Sequence, residues 1–483
     1  MEGDAVEPNA DPKPAERTVK AGRRWGDHTL VKLSMLALLV LLLLIPVARV
    51  TGLVRERMGR QAEVAAEIAG TWGGSQSLLG PIVAIPYTVT EERVTVEESG
   101  AGRRAADSTV QRTETFTYDR ALYALPAEIE WQGRIEPEIR YRGLFEVVVY
   151  EARLAVTGAF ARPALVESAR TRVHWDRAVL LLGVPDVRGL QRRARLAWGG
   201  REVDFLPGTG GVELLPTGIH APLPPEWGAA AAGERVPFSF ELSLRGSGDL
   251  NFLPAGEETR VELSSPWPSP GFGGAFLPAE REIAPDGFTA SWSVPYFGRS
   301  YGQTWSDAAV DHGQLAGSAF GVSLVLPADA YQQTERAVKY AVLFILLTFG
   351  TFFLLELLSP ERLHAMHYLL VGFALCVFYV LLLAVGEHLG FTAAYALAAA
   401  ATVGLIAGYS RSILASRGRA AVVLGALAAL YGFLYVLLRL EDYALLLGAV
   451  GLFVALAVLM VLTRHLDWRS LTFRAPGRKA SVQ

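Results

Sequence analysis

A chain of 483 residues with a net charge of −3 and 51% hydrophobic residues lacks the basic excess that a nucleic-acid surface needs. Its one cysteine, Cys376, excludes a disulfide framework, a zinc finger and thiol-redox pairing. The apolar residues are unevenly spread: one long span lies near the N-terminus, five follow Val338, and about 285 residues of soluble-type pattern lie between.

Residues 1–29 read as a disordered cytoplasmic tail. A hydrocarbon core about 30 Å thick takes roughly 20 apolar residues as helix, and Leu30–Val50 supplies them. No small-x-small cleavage site follows the run at Pro46–Arg49, so the span is expected to stay as an anchor. Val54, Met58, Ala62, Ala65 and Ile68 then recur at helical spacing, with Glu56 and Arg60 as an i,i+4 pair. The helix is expected over 54–69, ending at the Gly70…Gly73-Gly74 breaker.

Residues 51–336 form the expected outer domain. Pro81–Thr90, Thr113–Leu122, Glu128–Gly133, Phe145–Gly158, Arg172–Gly183 and Val236–Gly246 are rich in β-branched and aromatic residues, several alternating with period two. Glu91–Asp107 and Ala229–Glu234 read as excursions between strands. The pattern predicts an antiparallel β-sandwich. It leaves one domain or two open, with a seam near Gln191–Arg201.

No nucleophile elbow, zincin helix, dinucleotide loop or P-loop occurs. Gly208-Thr209-Gly210-Gly211 lacks a following lysine and reads as a turn. Asp186, Arg188 and His220 are the candidate polar site, weighed against a strand-end ion pair and a structural histidine. The candidate interaction surface is Trp267, Glu280, Arg281, Trp292, Tyr296, Arg299 and Tyr301, since aromatics interleaved with arginine suit sugar or peptide contact. The same residues also suit docking at a membrane surface, or a plain core. No catalytic, cofactor or metal site is expected.

The C-terminal bundle, 337–463, holds spans Lys339–Leu358, His367–Val385, Phe391–Tyr409, Ala420–Leu438 and Tyr443–Thr463. Glu356 and the Glu387-His388 pair sit at span ends, where water is expected to reach them, and Arg439 with Glu441 are vestibule candidates. His364 and His367, three apart, lack a third metal ligand. Arg17, Lys20, Arg23, Arg24 and Lys32 precede span one; Arg411, Arg417 and Arg419 occupy one later loop, and the tail 464–483 is basic. The positive-inside rule then predicts six transmembrane helices, both termini cytoplasmic and the β-rich domain periplasmic.

Several strings resemble the CreD family of inner-membrane cell envelope integrity proteins. In the domain they are Gly80–Pro86 (GPIVAIP), Gly246–Leu250 (GSGDL), Phe276–Glu282 (FLPAERE) and Gly287-Phe288. In the bundle they are Tyr331–Ala341 (YQQTERAVKYA), Leu363–Gly372 (LHAMHYLLVG) and Glu387–Thr392 (EHLGFT). The resemblance covers about Leu33 to Trp468, with His367 standing where the family pattern has glutamine. It implies an envelope-stress protein of the inner membrane, under two-component control in some bacteria and linked to colicin tolerance, β-lactam response and cell shape. It implies no established activity or ligand, so it carries over no residue role. The leading expectation is a non-enzymatic protein of the bacterial inner membrane supporting envelope integrity, its partners being the lipid bilayer and another envelope component, not nucleic acid. The alternatives are a transporter or channel component, and a periplasmic ligand sensor coupled to the bundle through the helix at 54–69.

Overall fold

The computed structural model describes residues 25–97, 110–165, 167–306, 309–326, 330–357, 363–414, 416–440 and 443–464. The chain divides into two compact units, residues 56–329 and residues 1–55 with 330–483. Helix α1 (Trp25–Trp72) contributes to both; its 48 residues rise about 72 Å at 1.5 Å each. In its apolar part Leu36, Leu43, Val47, Val50 and Val54 are buried, with half-buried Val40 between the first two. Those steps of four and three keep one stripe turned to the other helices of its unit. The helix passes through Gly70, beyond the expected end at Ala69, and stops at Trp72. Gly73 ends it: φ is +146°, and a Cβ there would stand 2.6 Å from the Arg245 carbonyl oxygen.

The β-rich unit contains β1 (Gln76–Glu97), β2 (Val110–Ala124), β3 (Glu128–Arg142), β4 (Phe145–Ala161), β5 (Thr171–Val173) and β6 (Val179–Gly183). Then come β7 (Arg195–Trp198), β8 (Arg201–Asp204), β9 (Leu206–Pro207), β10 (Gly218–Pro222), β11 (Arg235–Ser247) and β12 (Asp249–Phe252). β13 (Glu258–Ser265), β14 (Pro270–Gly274), β15 (Glu280–Ala284), β16 (Gly287–Pro295), β17 (Thr304–Ser306), the short helix α2 (His312–Gly317) and β18 (Phe320–Leu324) complete it. One sheet runs β14-β18-β12-β1-β6-β10-β9, with β2 and β5 on β1 and β17 on β2. The other runs β15-β16-β13-β3-β4-β11-β7-β8.

Alternation makes the core. Along β13 and β16 every second residue is buried, and both sheets feed one cluster that includes Trp131, Tyr150, Phe160, Phe252, Trp292 and Phe320. Trp131 meets Phe252 edge-on at 5.1 Å and Phe240 at 6.2 Å, the offset geometry aromatic quadrupoles favour.

Three expectations change. The sandwich is mixed, because β1 pairs in parallel with β12 and β3 with β13. Those partners are far apart in sequence, and period-two patterning does not encode the connections that join them. The seam near Gln191–Arg201 is absent: β7 pairs with β11, and Leu196 and Trp198 belong to the shared core. The single strand expected at Arg172–Gly183 is split into β5 and β6 by a 3-10 turn at Trp175–Arg177. The excursion expected at 91–107 begins as paired strand, Glu97 opposite Val110, and its part from 98 on lies outside the described residues; Ala229 ends a 3-10 turn and residues 230–234 form the loop leading into β11.

The helical unit adds α3 (Ala330–Lys339), α4 (Ala341–Leu357), α5 (Ala365–Ile413), α6 (Arg417–Arg439) and α7 (Ala444–Thr463). Helices α1, α5, α6 and α7 are each long and apolar enough to cross a membrane; α3 and α4 make a fifth crossing if the pair, bent by 48°, is one span. Helix α5 is interrupted at Gly390 (φ 73°, ψ 166°). Its two sides pack together, Phe378 lying 5.6 Å from Tyr395 ring to ring.

Candidate functional site

Asp186 and Arg188 turn out to finish a helix. Asp186 caps a 3-10 turn at Val187–Gly189 and is gripped by the Arg188 fork, Nε to Oδ1 at 2.8 Å and Nη2 to Oδ2 at 2.9 Å. The same carboxylate accepts from the Gly74 N–H at 3.0 Å, and Arg188 Nη1 donates to the Gly70 carbonyl at 2.6 Å. That carbonyl is among the last four of α1, which have no partner within the helix. The Arg188 fork holds the Asp186 carboxyl below the ordinary carboxylate range, helped by the Gly74 and Arg188 backbone N–H groups and opposed by burial.

Next to this cap sits Trp72. The guanidiniums of Arg245 and Arg140 lie over its ring at 4.0 and 4.1 Å, and its indole N–H reaches the Tyr150 carbonyl at 3.4 Å. Arg245 is held in turn by Glu151 at 2.9 Å, and Arg142 pairs with Glu67 of α1 at 2.6 Å. Sequence reasoning missed Trp72, Arg140 and Arg245. The available signal was a tryptophan set directly before Gly73-Gly74, on a helix otherwise short of aromatics.

His220 belongs elsewhere. Its Nδ1 lies 2.9 Å from the Gly208 carbonyl, and a Cβ on Gly210 would stand 3.1 Å from its ring, so it braces the Gly208–Gly211 turn. It shares no hydrogen bond with Asp186 or Arg188 among the described residues, and the three do not form one polar site.

The expected interaction surface separates by burial. Trp292 is 1% exposed, because the alternation of β16 points it into the core. Trp267 is buried with its indole N–H shared between the Ser269 and Val325 carbonyls, each at 3.1 Å. Tyr301 is buried too, bonded to the Pro254 carbonyl at 3.1 Å and Ser318 at 2.9 Å. These three are therefore core residues, a correction to the surface reading. Arg299 lies 5.0 Å from the Tyr296 ring and 5.3 Å from that of Tyr301, and donates to the Ala255 carbonyl at 2.8 Å. Burial lowers the Arg299 pKa from its ordinary value and raises that of Tyr301.

What stays outside is Tyr296, with Phe297 beside it at 93% exposure, and Glu280 with Arg281 on β15. Glu280 and Arg281 line a polar groove of about 580 Å³ with Glu262, Glu282, Gln132 and Ser291. Among the described residues no three His, Cys, Asp or Glu side chains are placed to hold one metal ion.

In the helical unit the informative polar cluster joins segments more than 300 residues apart. Lys32 pairs with Glu356 and donates to the Leu363 carbonyl at 2.9 Å, while the Tyr368 hydroxyl donates to the other Glu356 oxygen at 2.9 Å. The Glu356 side chain is only 10% exposed. It is thus held inside a three-element network rather than left to water, as its place at a span end suggested, because Lys32 reaches it and needs a partner of its own. Elsewhere Glu335 is shared by Arg55 at 3.7 Å and Lys339 at 3.5 Å, and Arg439 donates to Thr392 at 2.8 Å.

Comparison with known proteins gives a consistent result. A family model described as "Inner membrane protein CreD" matches residues 28–469. The chain is also similar to the Inner membrane protein CreD of Escherichia coli (strain K12), at 36% identity over 453 residues, which cover 94% of this chain and 96% of that protein.

Proposed function

Since the chain belongs to the CreD family of inner membrane proteins, we propose that it is a non-enzymatic protein that supports cell envelope integrity by holding a β-rich domain against another envelope component. The observation that carries this reading is the fastening of the domain to the end of α1. Trp72 beneath two guanidiniums, the Arg188 cap on Gly70 and the Glu67–Arg142 pair make the last turns of a helix with a membrane-crossing segment part of the domain itself. Such fastening suits a protein that positions or bears force, and no catalytic motif competes with it.

In the proposed arrangement α5 crosses twice, turning at Gly390, and α3 with α4 crosses once, giving six spans. The cation-rich segments beside span one, in the 411–419 loop and in the tail support cytoplasmic termini and an outer, periplasmic domain. The test is a strain lacking the gene, challenged with detergent, β-lactam and osmotic shock, and complemented with wild type or with Trp72→Ala/Arg188→Gln. Increased sensitivity on deletion, rescued by wild type and poorly by the double variant, is expected; unaltered sensitivity of the deletion strain defeats the reading.

A sensor reading draws on the same clamp, because anything that shifts the 187–189 turn acts on the α1 cap. The transport reading has less support. The ion pairs described in the helical unit lie near the ends of the expected apolar spans or outside them: Lys32 close to the start of Leu30–Val50 and Glu356 close to the end of Lys339–Leu358, with Arg55 and Glu335 outside both.

A further inference from the structure

The turn that caps α1 is also one wall of a cavity. Val187 and Leu190 at that turn, Arg192 and Arg193 just after it, Phe205 between β8 and β9 and Leu206 at the start of β9 line a cavity of about 250 Å³. The remaining lining is glycine, alanine, proline and isoleucine, so among the described residues the two arginines are its only polar side chains.

Neither arginine has an ion-pair or hydrogen-bond partner among the described residues, whereas the neighbouring Arg188, Arg195 and Arg201 each hold a carboxylate. The backbone that carries them is pinned at both ends. Leu190 bridges to Leu244, the Gln191 N–H donates to the Ser243 carbonyl at 3.0 Å, and the Phe205 N–H donates to the Ala194 carbonyl at 3.1 Å. Two unpaired guanidiniums on a fixed backbone beside an apolar wall favour a planar or tetrahedral oxyanion, which they can grip through paired N–H groups. The apolar wall favours a hydrocarbon body attached to that anion.

We propose that this cavity binds a small amphiphilic anion, its carboxylate or phosphate monoester held by Arg192 and Arg193 and its ring or short alkyl body lying on Val187, Leu190 and Phe205. The volume sits just under the roughly 300 Å³ at which small-molecule sites begin, so it admits about one bicyclic ring and not a diacyl lipid. The proposal goes beyond the integrity reading and does not depend on it.

The test uses the full-length protein in nanodiscs of zwitterionic lipid, titrated with 1-naphthyl phosphate and followed by its fluorescence. Saturable binding is expected, weakened about tenfold or more in Arg192→Gln/Arg193→Gln. Leu206→Trp, which fills the cavity from an exposed position, should also block binding. Thermal unfolding of each variant shows that it remains folded. Inorganic phosphate and 1-naphthol should each compete at least about tenfold less well than the intact probe, because each supplies half of the recognition. No saturable binding, wild-type affinity in the double arginine variant, or equal competition by inorganic phosphate overturns the proposal.

Discussion

His367 Nδ1 lies 2.9 Å from the Tyr409 hydroxyl, although 42 residues along α5, broken at Gly390, separate them. At 1.5 Å per residue a straight helix would hold them about 63 Å apart, so the element folds back on itself and Gly390 is where it turns. The two arms from Gly390 to this contact span about 34 and 28 Å, close to the thickness of a hydrocarbon core. His367 is thereby engaged with an aromatic hydroxyl on the opposite arm, a structural use for an imidazole whose spacing from His364 raised the question of metal.

The turn makes a first prediction. With φ 73° and ψ 166°, Gly390 occupies a region that is essentially glycine's own. Gly390→Val should cost about 1–3 kcal/mol and lower the midpoint of thermal unfolding in detergent. A midpoint equal to wild type would show that the reversal does not depend on this conformation.

The clamp at Trp72 makes the second. Removing the ring in Trp72→Ala takes away contacts with two guanidiniums, worth about 1–2 kcal/mol together. Hydrogen exchange of the amides at 68–72 should then quicken roughly tenfold, while amides in the β13–β16 core keep their protection. Uniform acceleration through the whole sandwich would instead make Trp72 a general core residue.

Acid should loosen the same cap. The Asp186 carboxyl is depressed in the folded protein, chiefly by the Arg188 fork. Its contribution is fully present above the ordinary carboxylate value near pH 4 and is lost as pH falls through the lower folded value. Wild type should therefore exceed Asp186→Asn in urea midpoint at about pH 7, and the two should converge once the pH falls through the carboxyl's depressed folded value. A gap that persists in acid would place the stabilisation outside the carboxylate's charge.

Much of this architecture was legible because burial imposes periods on sequence. The apolar runs marked the bundle, and the alternation of Phe145–Val156 marked β4. Sheet order was not legible, since Gln76 opposite Leu250 and Glu128 opposite Glu258 are choices made by distant strands. The site residues failed for a related reason. Trp267, Trp292 and Tyr301 have the composition of a binding face, and only the register of β13 on β16 and the carbonyls of Pro254, Ser269 and Val325 turn them inward. Lys32 and Glu356 each read as a span-end charge, and nothing local to either announces a partner more than 300 residues away.

That pair supports a sharper experiment. A buried ion pair loses more when one partner is removed than when both are, because the survivor stays desolvated and uncompensated. With Lys32 20% exposed and Glu356 10%, the pair is partly buried, so Lys32→Met alone should cost somewhat less than the about 3–5 kcal/mol of a fully buried pair, and Lys32→Met/Glu356→Met should recover most of it. Equal losses in the single and double variants would mean that Glu356 is not held by Lys32, and a double-mutant cycle on thermal stability measures the coupling directly.

The side of the membrane on which the β domain lies can be read from Phe297. It is 93% exposed, so Phe297→Cys should leave the fold intact and present a reactive thiol to solvent. Background is low, because the sole native cysteine, Cys376, is buried. If the cation asymmetry around the spans sets orientation as proposed, a maleimide that cannot cross the inner membrane will label Phe297→Cys in whole cells and leave the parent chain unlabelled. Labelling that appears only after the inner membrane is permeabilised would put the domain in the cytoplasm. It would also remove the premise that the domain meets other envelope components from outside.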